Sequence, residues 1–337
     1  MKYTHKIDIC IPVYNEEDTV VGAIESVLAQ DIEGLGILVS DNLSTDRTPE
    51  IVAKYTKQFP EIVKYKRNKK NLGYPGNYVK CIQRTKAKYI FFIGADDRLF
   101  NNEINKLVSY IDKRSYTGIV SSDLVQFLES PLNPTREMVY FNGRERTFIA
   151  GENALIDWLF YSVLGSIGGC VIRSEVAKDL CNSIPNDSII PQVHLGAMIA
   201  SNYDVAHIPA FTFAQRLNED TGRLANKQYF SLGQPMETFT LIDNATVNNS
   251  SSAVSDKRGT NKKLVDIYVR KNLVLNMVSY RCFIDPKLYF DLLKLMIQKC
   301  KSVILDVEFL FYLFVTIIFP RIVLYKMLLF VRRRKHF

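Results

Sequence analysis

Tyr89-Ile90-Phe91-Phe92-Ile93-Gly94-Ala95-Asp96-Asp97-Arg98-Leu99 is the stretch on which the fold turns. Four apolar residues follow Tyr89 without a break, as in a strand buried on both faces. The run stops at Gly94-Ala95 and presents two adjacent carboxylates, Asp96 and Asp97. Acids at the carboxyl end of a buried strand stand where open α/β sheets place their ligands. Such a pair either caps the next helix or chelates a hard divalent cation, which most often serves a phosphate group.

The residues upstream repeat this pattern of strand, loop and helix. Ile7, Ile9 and Ile11 alternate with Asp8 and Cys10, and Pro12-Val13-Tyr14-Asn15 closes that strand. Val20, Val21, Ile24, Val27 and Leu28 then recur at helical spacing. Residues 37–39 read as a second strand, ending in Ser40-Asp41-Asn42-Leu43-Ser44-Thr45-Asp46. Thr48-Pro49-Glu50 opens a helix, with Thr48 expected as its N-cap. Residues 62–65 make a third strand, and a helix from Tyr74-Pro75 leads back to Tyr89. Strands alternating with helices of this length predict a doubly wound, mostly parallel α/β sheet. The loops after Val13, Val39 and Ile93 then open on one edge and gather Asn15, Asp41, Asp46, Asp96 and Asp97 there. Neither GxGxxG nor GxxxxGK[ST] occurs at these strand ends, which disfavours dinucleotide dehydrogenases and P-loop enzymes.

Composition sets the outer bounds. The 337 residues, 47% apolar and 23% charged, suit a globular protein with one large or two smaller domains. A net charge of +8 favours an anionic partner, but the basic clusters are not interleaved with aromatics on one element, so no nucleic-acid partner is expected. Six cysteines without a CxxC pair argue against a zinc site or a disulfide framework and fit a reducing compartment. No apolar stretch precedes a small-residue cleavage site, so no signal peptide is expected.

Ile11-Pro12-Val13-Tyr14-Asn15-Glu16-Glu17, residues 40–46, residues 71–77 (NLGYPGN) and Gly94-Ala95-Asp96-Asp97 resemble, in this order and spacing, the GT-A nucleotide-sugar glycosyltransferases of the large inverting "family two" group. The likeness is strong over residues 5–125 and weak over 140–220. It implies that Pro12, Tyr14 and Glu16 line a nucleotide pocket, that Asp41 reads a pyrimidine base, and that Asn71 and Gly73 lie by the ribose. It implies that Asp96 binds Mg²⁺ or Mn²⁺ across the diphosphate, with Asp97 as a neighbouring metal or sugar contact. The donor would be a UDP-, CDP- or dTDP-linked sugar. The chain departs from the DxD pattern of many relatives, because Gly94 stands where their first acid would be.

Inversion requires an acceptor hydroxyl to attack from the opposite face and a base to take its proton. The ED pair that often supplies this base in relatives is missing, and Gln192 falls at the acid's place. His194 and Asp187 remain as candidates. The missing pair also leaves open a non-catalytic nucleotide-sugar-binding scaffold. A nucleotidyltransferase would need a Gly-rich basic loop after the first strand, where Asn15-Glu16-Glu17 supplies acids.

In the second half, the small-residue stretch at Gly168 and Gly169 would border the donor sugar, by analogy with relatives, or serve a tight turn. Trp158 reads as core, and Arg216 or Arg223 could reach a diphosphate. The expected divisions are residues 1–125 (nucleotide-sugar half), 126–232 (acceptor half), 233–263 (polar loop or linker, its core at 244–263) and 264–337 (C-terminal helices). Residues 309–320 carry no charge and residues 332–335 are all basic, so the tail reads as helices lying in a bilayer interface. That placement suits a polyprenyl-linked glycan acceptor at the cytoplasmic face of a bacterial inner membrane, in the making of a surface polysaccharide such as O-antigen.

Overall fold

The structure, a computed structural model, describes residues 3–100, 102–159, 164, 166–217, 233–246, 256–274, 277–283, 285–320 and 322–326. The chain divides into two units, Met1–Leu217 and Asn218–Phe337.

The first unit begins as the alternation predicts. β1 (His5–Val13), α1 (Val20–Leu28), β2 (Leu35–Asp41), α2 (Thr48–Gln58), β3 (Val63–Arg67), α3 (Gly73–Arg84) and β4 (Ala87–Phe92) follow one another. β1 pairs in parallel with β2 and with β4, and β2 pairs in parallel with β3. The spatial order is therefore β3-β2-β1-β4, and strand order reverses on either side of β1. A crevice is expected at that reversal, outside the strands' carboxyl ends. Ile7, Ile9, Ile11, Tyr89, Ile90, Phe91 and Phe92 are all buried, and so are Asp8 and Cys10 between the isoleucines of β1, so both strands are covered on both faces.

One helix start differs from expectation. Thr48 is the first residue of α2 rather than its cap. Its Oγ1 accepts the Glu16 N–H at 2.8 Å, while Asp46 Oδ1 accepts the Thr48 N–H at 3.0 Å. The capping oxygen thus comes from Asp46, and Thr48 is used to hold the loop after β1.

Beyond β4 come β5 (Arg98–Leu99), α4 (Ile104–Asp112), β6 (Thr117–Phe127), β7 (Arg136–Met138), β8 (Arg146–Phe148), α5 (Glu152–Asp157), β9 (Cys170–Arg173), α6 (Ser174–Leu180), α7 (Pro191–Asn202) and β10 (Asp204–Arg216). β9 runs antiparallel between β4 and β6, and β6 pairs in parallel with β10. β6 is buried along its whole length although it carries Ser121, Ser122 and Asp123. Each polar group there has a partner: Ser121 Oγ donates to Ala206 O at 3.1 Å, Ser122 Oγ lies 2.6 Å from Thr212 Oγ1, and Asp123 Oδ1 accepts the Tyr140 N–H at 2.8 Å. Trp158 is fully buried, as read from the sequence, and its indole N–H donates to Ser121 Oγ at 3.1 Å.

The second unit is helical where described: α8 (Gly233–Thr246), α9 (Lys257–Tyr268), a π-helical turn at Val269–Val274, α10 (Met277–Phe283), α11 (Pro286–Lys299) and α12 (Val307–Ile318). The polar loop or linker expected at 233–263, with its core at 244–263, is helical at both ends. α8 runs through Thr246, and Asp256 starts α9 by accepting the Gly259 N–H at 2.9 Å. Leu264 and Val265 bury the far end of this polar helix. Asp285 and Asp306 cap α11 and α12 in the same way. Tyr289 joins α11 to α12 through its hydroxyl, 2.7 Å from Thr316 Oγ1. Along α12, Leu310, Phe311, Phe314, Ile317 and Ile318 are exposed, and they recur at helical spacing. Among the described residues no helix is long and apolar enough to cross a membrane. All six cysteines are free thiols.

Candidate functional site

The carboxyl ends of β1, β2 and β4 form one rim. Val13 and Asp41 are paired across β1 and β2, Asn42 N–H donates to Val13 O at 2.9 Å, and Ile93 N–H donates to Cys10 O at 3.1 Å. The loops after β1 and β2 are stitched together. Asn15, held at φ 57°, donates its N–H to Ser44 Oγ at 3.0 Å and accepts the Thr45 N–H on Oδ1 at 2.8 Å. Glu17 N–H donates to Asp46 Oδ2 at 3.0 Å, and Glu17 Oε2 accepts the Arg47 N–H at 2.9 Å. Two loops far apart in sequence are thereby fixed as one wall. Tyr14 stands exposed on it, beside half-buried Pro12.

Asp41 is at this rim but fully buried. Oδ1 accepts the Ser44 N–H at 2.8 Å and the Ser44 hydroxyl at 2.6 Å. Oδ2 accepts the Tyr65 hydroxyl and lies 3.3 Å from Arg67 Nε. A carboxylate has about four acceptor positions, and protein groups occupy them. With these contacts Asp41 locks the loop after β2 onto β3. Burial, then the hydrogen bond to this carboxylate, raises the Tyr65 phenol well above its ordinary range, so it stays a donor.

Asn71 and Gly73 reach the same rim through Asn42. Asn42 Nδ2 donates to Asn71 Oδ1 at 2.7 Å and to Gly73 O at 3.2 Å, and its Oδ1 accepts the Leu72 N–H at 2.9 Å. Asn77, Ser40 and Asn68 continue this amide network into the core, where Arg84 also joins it. Asn42, Asn77 and Tyr65 are supporting residues that the sequence reading missed. The signal available was an Asn directly after β2 and directly after β3, at Asn42 and Asn68.

The loop after β4 is arranged differently. Asp96 is half-buried, and its carboxylate has no hydrogen-bond or ion-pair partner among the described residues. Asp97 is buried. Its Oδ1 accepts the Arg216 N–H at 2.9 Å and its Oδ2 the Gly94 N–H at 3.2 Å. A Cβ at position 94 would stand 2.6 Å from Asp97 Oδ2, so the glycine that breaks the DxD pattern makes room for this fold-back. Burial first, then the charge of Asp96, pushes the Asp97 carboxyl up to about 8. Burial likewise raises Glu16, and the charges of Asp96 and Asp46 add to it although a Thr19 hydrogen bond opposes. Glu16, from the loop after β1, therefore feels Asp96 across the crevice. Arg216, at the end of β10, is tied to the same loop through Asp97. Burial, then the nearby Arg216 cation, lowers the Arg98 guanidinium.

No cluster of three or more His, Cys, Asp or Glu among the described residues is arranged to hold a metal by itself. Asp96 nonetheless fits a hard cation, since one open carboxylate at a rim can bind Mg²⁺ or Mn²⁺ when substrate phosphate and water complete the shell.

The two base candidates are separated by burial. His194 lies inside α7, 5% exposed. Asp187 is exposed in the turn before α7, where Ser188 N–H donates to Pro185 O at 3.2 Å, and its carboxylate has no partner among the described residues. Gln192 opens α7, and its Oε1 accepts the Tyr74 hydroxyl at 3.2 Å, which ties this helix to the start of α3. Gly168 packs against Phe213, where a Cβ would stand 2.6 Å from the ring, and Gly169 takes φ 88°. The tight-turn role of the glycines is thus the one seen. Arg223 and the basic residues 332–335 lie outside the described residues.

Comparison with known proteins places these features in a family. A family model described as glycosyl transferase family 2 matches residues 8–180, just over half of the chain. The abequosyltransferase RfbV of Salmonella typhimurium is 30% identical over 111 residues, 32% of this chain and 33% of that protein. EpsE of Bacillus subtilis is 27% identical over 124 residues, 37% of this chain and 45% of that protein. The matched stretch thus spans less than half the length of these curated relatives. Two solved structures share the fold at low identity. TarS of S. aureus in complex with UDP-GlcNAc has a TM-score of 0.58 at 16% identity, covering 82% of this chain and 78% of that one. The mannosyltransferase PcManGT of Pyrobaculum calidifontis, in complex with GDP-Man and Mn²⁺, has a TM-score of 0.57 at 15% identity, covering 83% and 74%.

Proposed function

The chain belongs to glycosyl transferase family 2, and from that premise we propose that it moves a sugar, with inversion, from a nucleoside diphosphate to a hydroxyl of a glycan acceptor. One observation carries this reading. Asp96 offers a half-buried carboxylate without a partner among the described residues, close enough to Glu16 for its charge to act there, while Asp41, Asp46 and Asp97 are engaged by protein groups. Asp96 is the residue that would hold Mg²⁺ or Mn²⁺. Such a cation offsets the negative charge left on a departing diphosphate.

The remaining roles follow from position. The wall of Pro12, Tyr14 and the stitched loops after β1 and β2 would receive the nucleoside, with Asn71 and Gly73 beside it. Asp41 holds that wall and does not contact the base. Asp97 fixes the loop of Asp96 and anchors the main chain at Arg216 beside it, within reach of the phosphates. Asp187 is the preferred base, because a base must reach the acceptor hydroxyl and His194 is buried. Gly168 and Gly169 shape the neighbouring pocket by allowing close packing.

The TarS complex with UDP-GlcNAc and the PcManGT complex with GDP-Man are in keeping with a nucleoside-diphosphate sugar as the donor class, and the abequosyltransferase RfbV with sugar transfer as the reaction. A polyprenyl-linked acceptor at the cytoplasmic face of a bacterial inner membrane fits the exposed apolar side of α12. A thermal-shift panel tests the reading: UDP, CDP, dTDP and GDP, each with and without Mn²⁺. One nucleotide should raise the melting temperature in a metal-dependent way, by about 2.7 kcal/mol of added stability at a hundredfold excess over its Kd. No response to any of them would leave a scaffold without a nucleotide site.

A further inference from the structure

A groove of about 490 Å³ opens between α3 and the segment that follows α6, wholly within the first unit. Its volume lies in the range of small-molecule sites. The floor is apolar, with Leu72 and Val79 on the α3 side and Ile184 and Pro185 opposite. Its lips are polar, and neither wall carries a carboxylate. Lys70 lines the groove, and its ammonium has no partner among the described residues. Lys80, about two helical turns into α3, also lines it and donates to the neutral Gln83 side chain at 2.9 Å. Gln83 Nε2 in turn donates to Asn182 Oδ1 at 3.0 Å, so amides line the lip between the walls.

The groove leads to the site already described. Asn71 lines it and is bonded to Asn42 of the loop after β2. Asn186 lines the opposite wall, next in sequence to Asp187. The groove therefore adjoins, through Asn71 and Asn186, both the nucleoside wall and the turn that carries the preferred base.

We propose that this groove binds an acidic oligosaccharide: the part of the acceptor glycan behind the hydroxyl that is glycosylated. The pairing of an apolar floor with amide lips fits a pyranose, whose C–H face is apolar and whose edge is hydroxylated. Two lysines, neither in a salt bridge among the described residues, favour carboxylate-bearing or phosphate-bearing sugars. The donor diphosphate belongs at Asp96, so the anion here is a different one. The identification of the occupant as an acceptor rests on the transferase reading; the binding of an acidic sugar does not.

The test uses the full chain and isothermal titration with digalacturonate, maltose and inorganic phosphate. Digalacturonate should bind about tenfold more tightly than maltose, a difference of ~1.4 kcal/mol. Lys70→Glu and Lys80→Glu should each weaken it about fivefold, as expected for loss of one exposed charge contact. Saturating UDP with Mn²⁺ should not displace it. Lys70→Gln and Lys80→Gln repeat the measurement without charge reversal, and melting curves confirm that each variant is folded. Equal binding of maltose, indifference to both lysines, displacement by UDP, or complete displacement by equimolar phosphate would each overturn the proposal. If digalacturonate binds through the lysines but no nucleotide binds, the groove stands and the transferase reading falls. The opposite pattern removes the groove and spares the transferase.

Discussion

The ends of β2 and β4 invite comparison. Both are buried parallel strands, both finish at the same rim, and both present an aspartate there. Asp41 is sealed by Ser44, Tyr65 and Arg67, while Asp96 makes no side-chain contact with a partner among the described residues. The difference comes from their neighbours. β2 is flanked by β3, whose Tyr65 and Arg67 reach across to Asp41. Beyond β4 the chain turns at Gly94, and Asp97 takes the local N–H donors that could otherwise have gone to Asp96. Equivalent positions in the sheet thus yield a structural acid in one case and an available one in the other.

The sharpest way to break that contrast is Asp96→Ala. An acid that holds no fold contact should be removable at a stability change within about 0.5 kcal/mol. Turnover should fall by at least about a hundredfold, the effect of deleting one group that stabilises developing charge. Release of nucleoside diphosphate from the donor that the thermal panel selects measures the second quantity, and urea denaturation the first. A variant that stays active, or one that unfolds readily, would place Asp96 in the same class as Asp41.

Asp41→Asn should show the reverse pattern. The isosteric amide removes a charge that accepts from Tyr65 and Arg67, and turns an NH₂ toward groups that are themselves donors. Hydrogen bonds to a charged group are worth about 1.5–3 kcal/mol, so the urea midpoint should drop accordingly. Activity among the molecules still folded should fall far less than in Asp96→Ala. If stability is unchanged, the Tyr65 and Arg67 contacts do not lock the loop, and Asp41 returns as a nucleotide-contacting group.

What the sequence revealed, and what it hid, follows the same division. Residues 7–13, 37–39 and 89–93 announce their strands because both faces of each are buried, and the reversal of order about β1 then places Asp96 at a crevice. The partners of Asp41 were not legible: Tyr65 and Arg67 look like surface residues of a short basic strand, and only the β2–β3 register brings them to the aspartate. β6 was equally hidden, since Ser121, Ser122 and Asp123 interrupt its apolar run and are satisfied by groups from β10 and from the β7 side. In the second unit, α9 is concealed by a composition rich in Lys and Asn, and its buried apolar residues, Leu264, Val265 and Tyr268, come too late to show a period. Apolar patterns expose elements that bury carbon; elements held by long-range polar pairing carry no local mark.

The smallest predicted effect concerns the link between the nucleoside wall and the second half. Tyr74 leaves the start of α3 and donates its hydroxyl to Gln192 at 3.2 Å, across 118 positions of sequence. Gln192 stands where relatives carry an acid, and as a neutral acceptor it can hold the tyrosine without a charge to stabilise. Tyr74→Phe removes one neutral hydrogen bond, worth about 1 kcal/mol, from the buried Gln192. The α7 start and the Asp187 turn would then be less firmly set against α3. Acceptor KM should rise about fivefold with nucleotide affinity unchanged, the signature of a loosened acceptor side. A loss of nucleotide affinity instead would mean that Tyr74 belongs to the wall of the donor pocket, and that the bond to Gln192 is incidental.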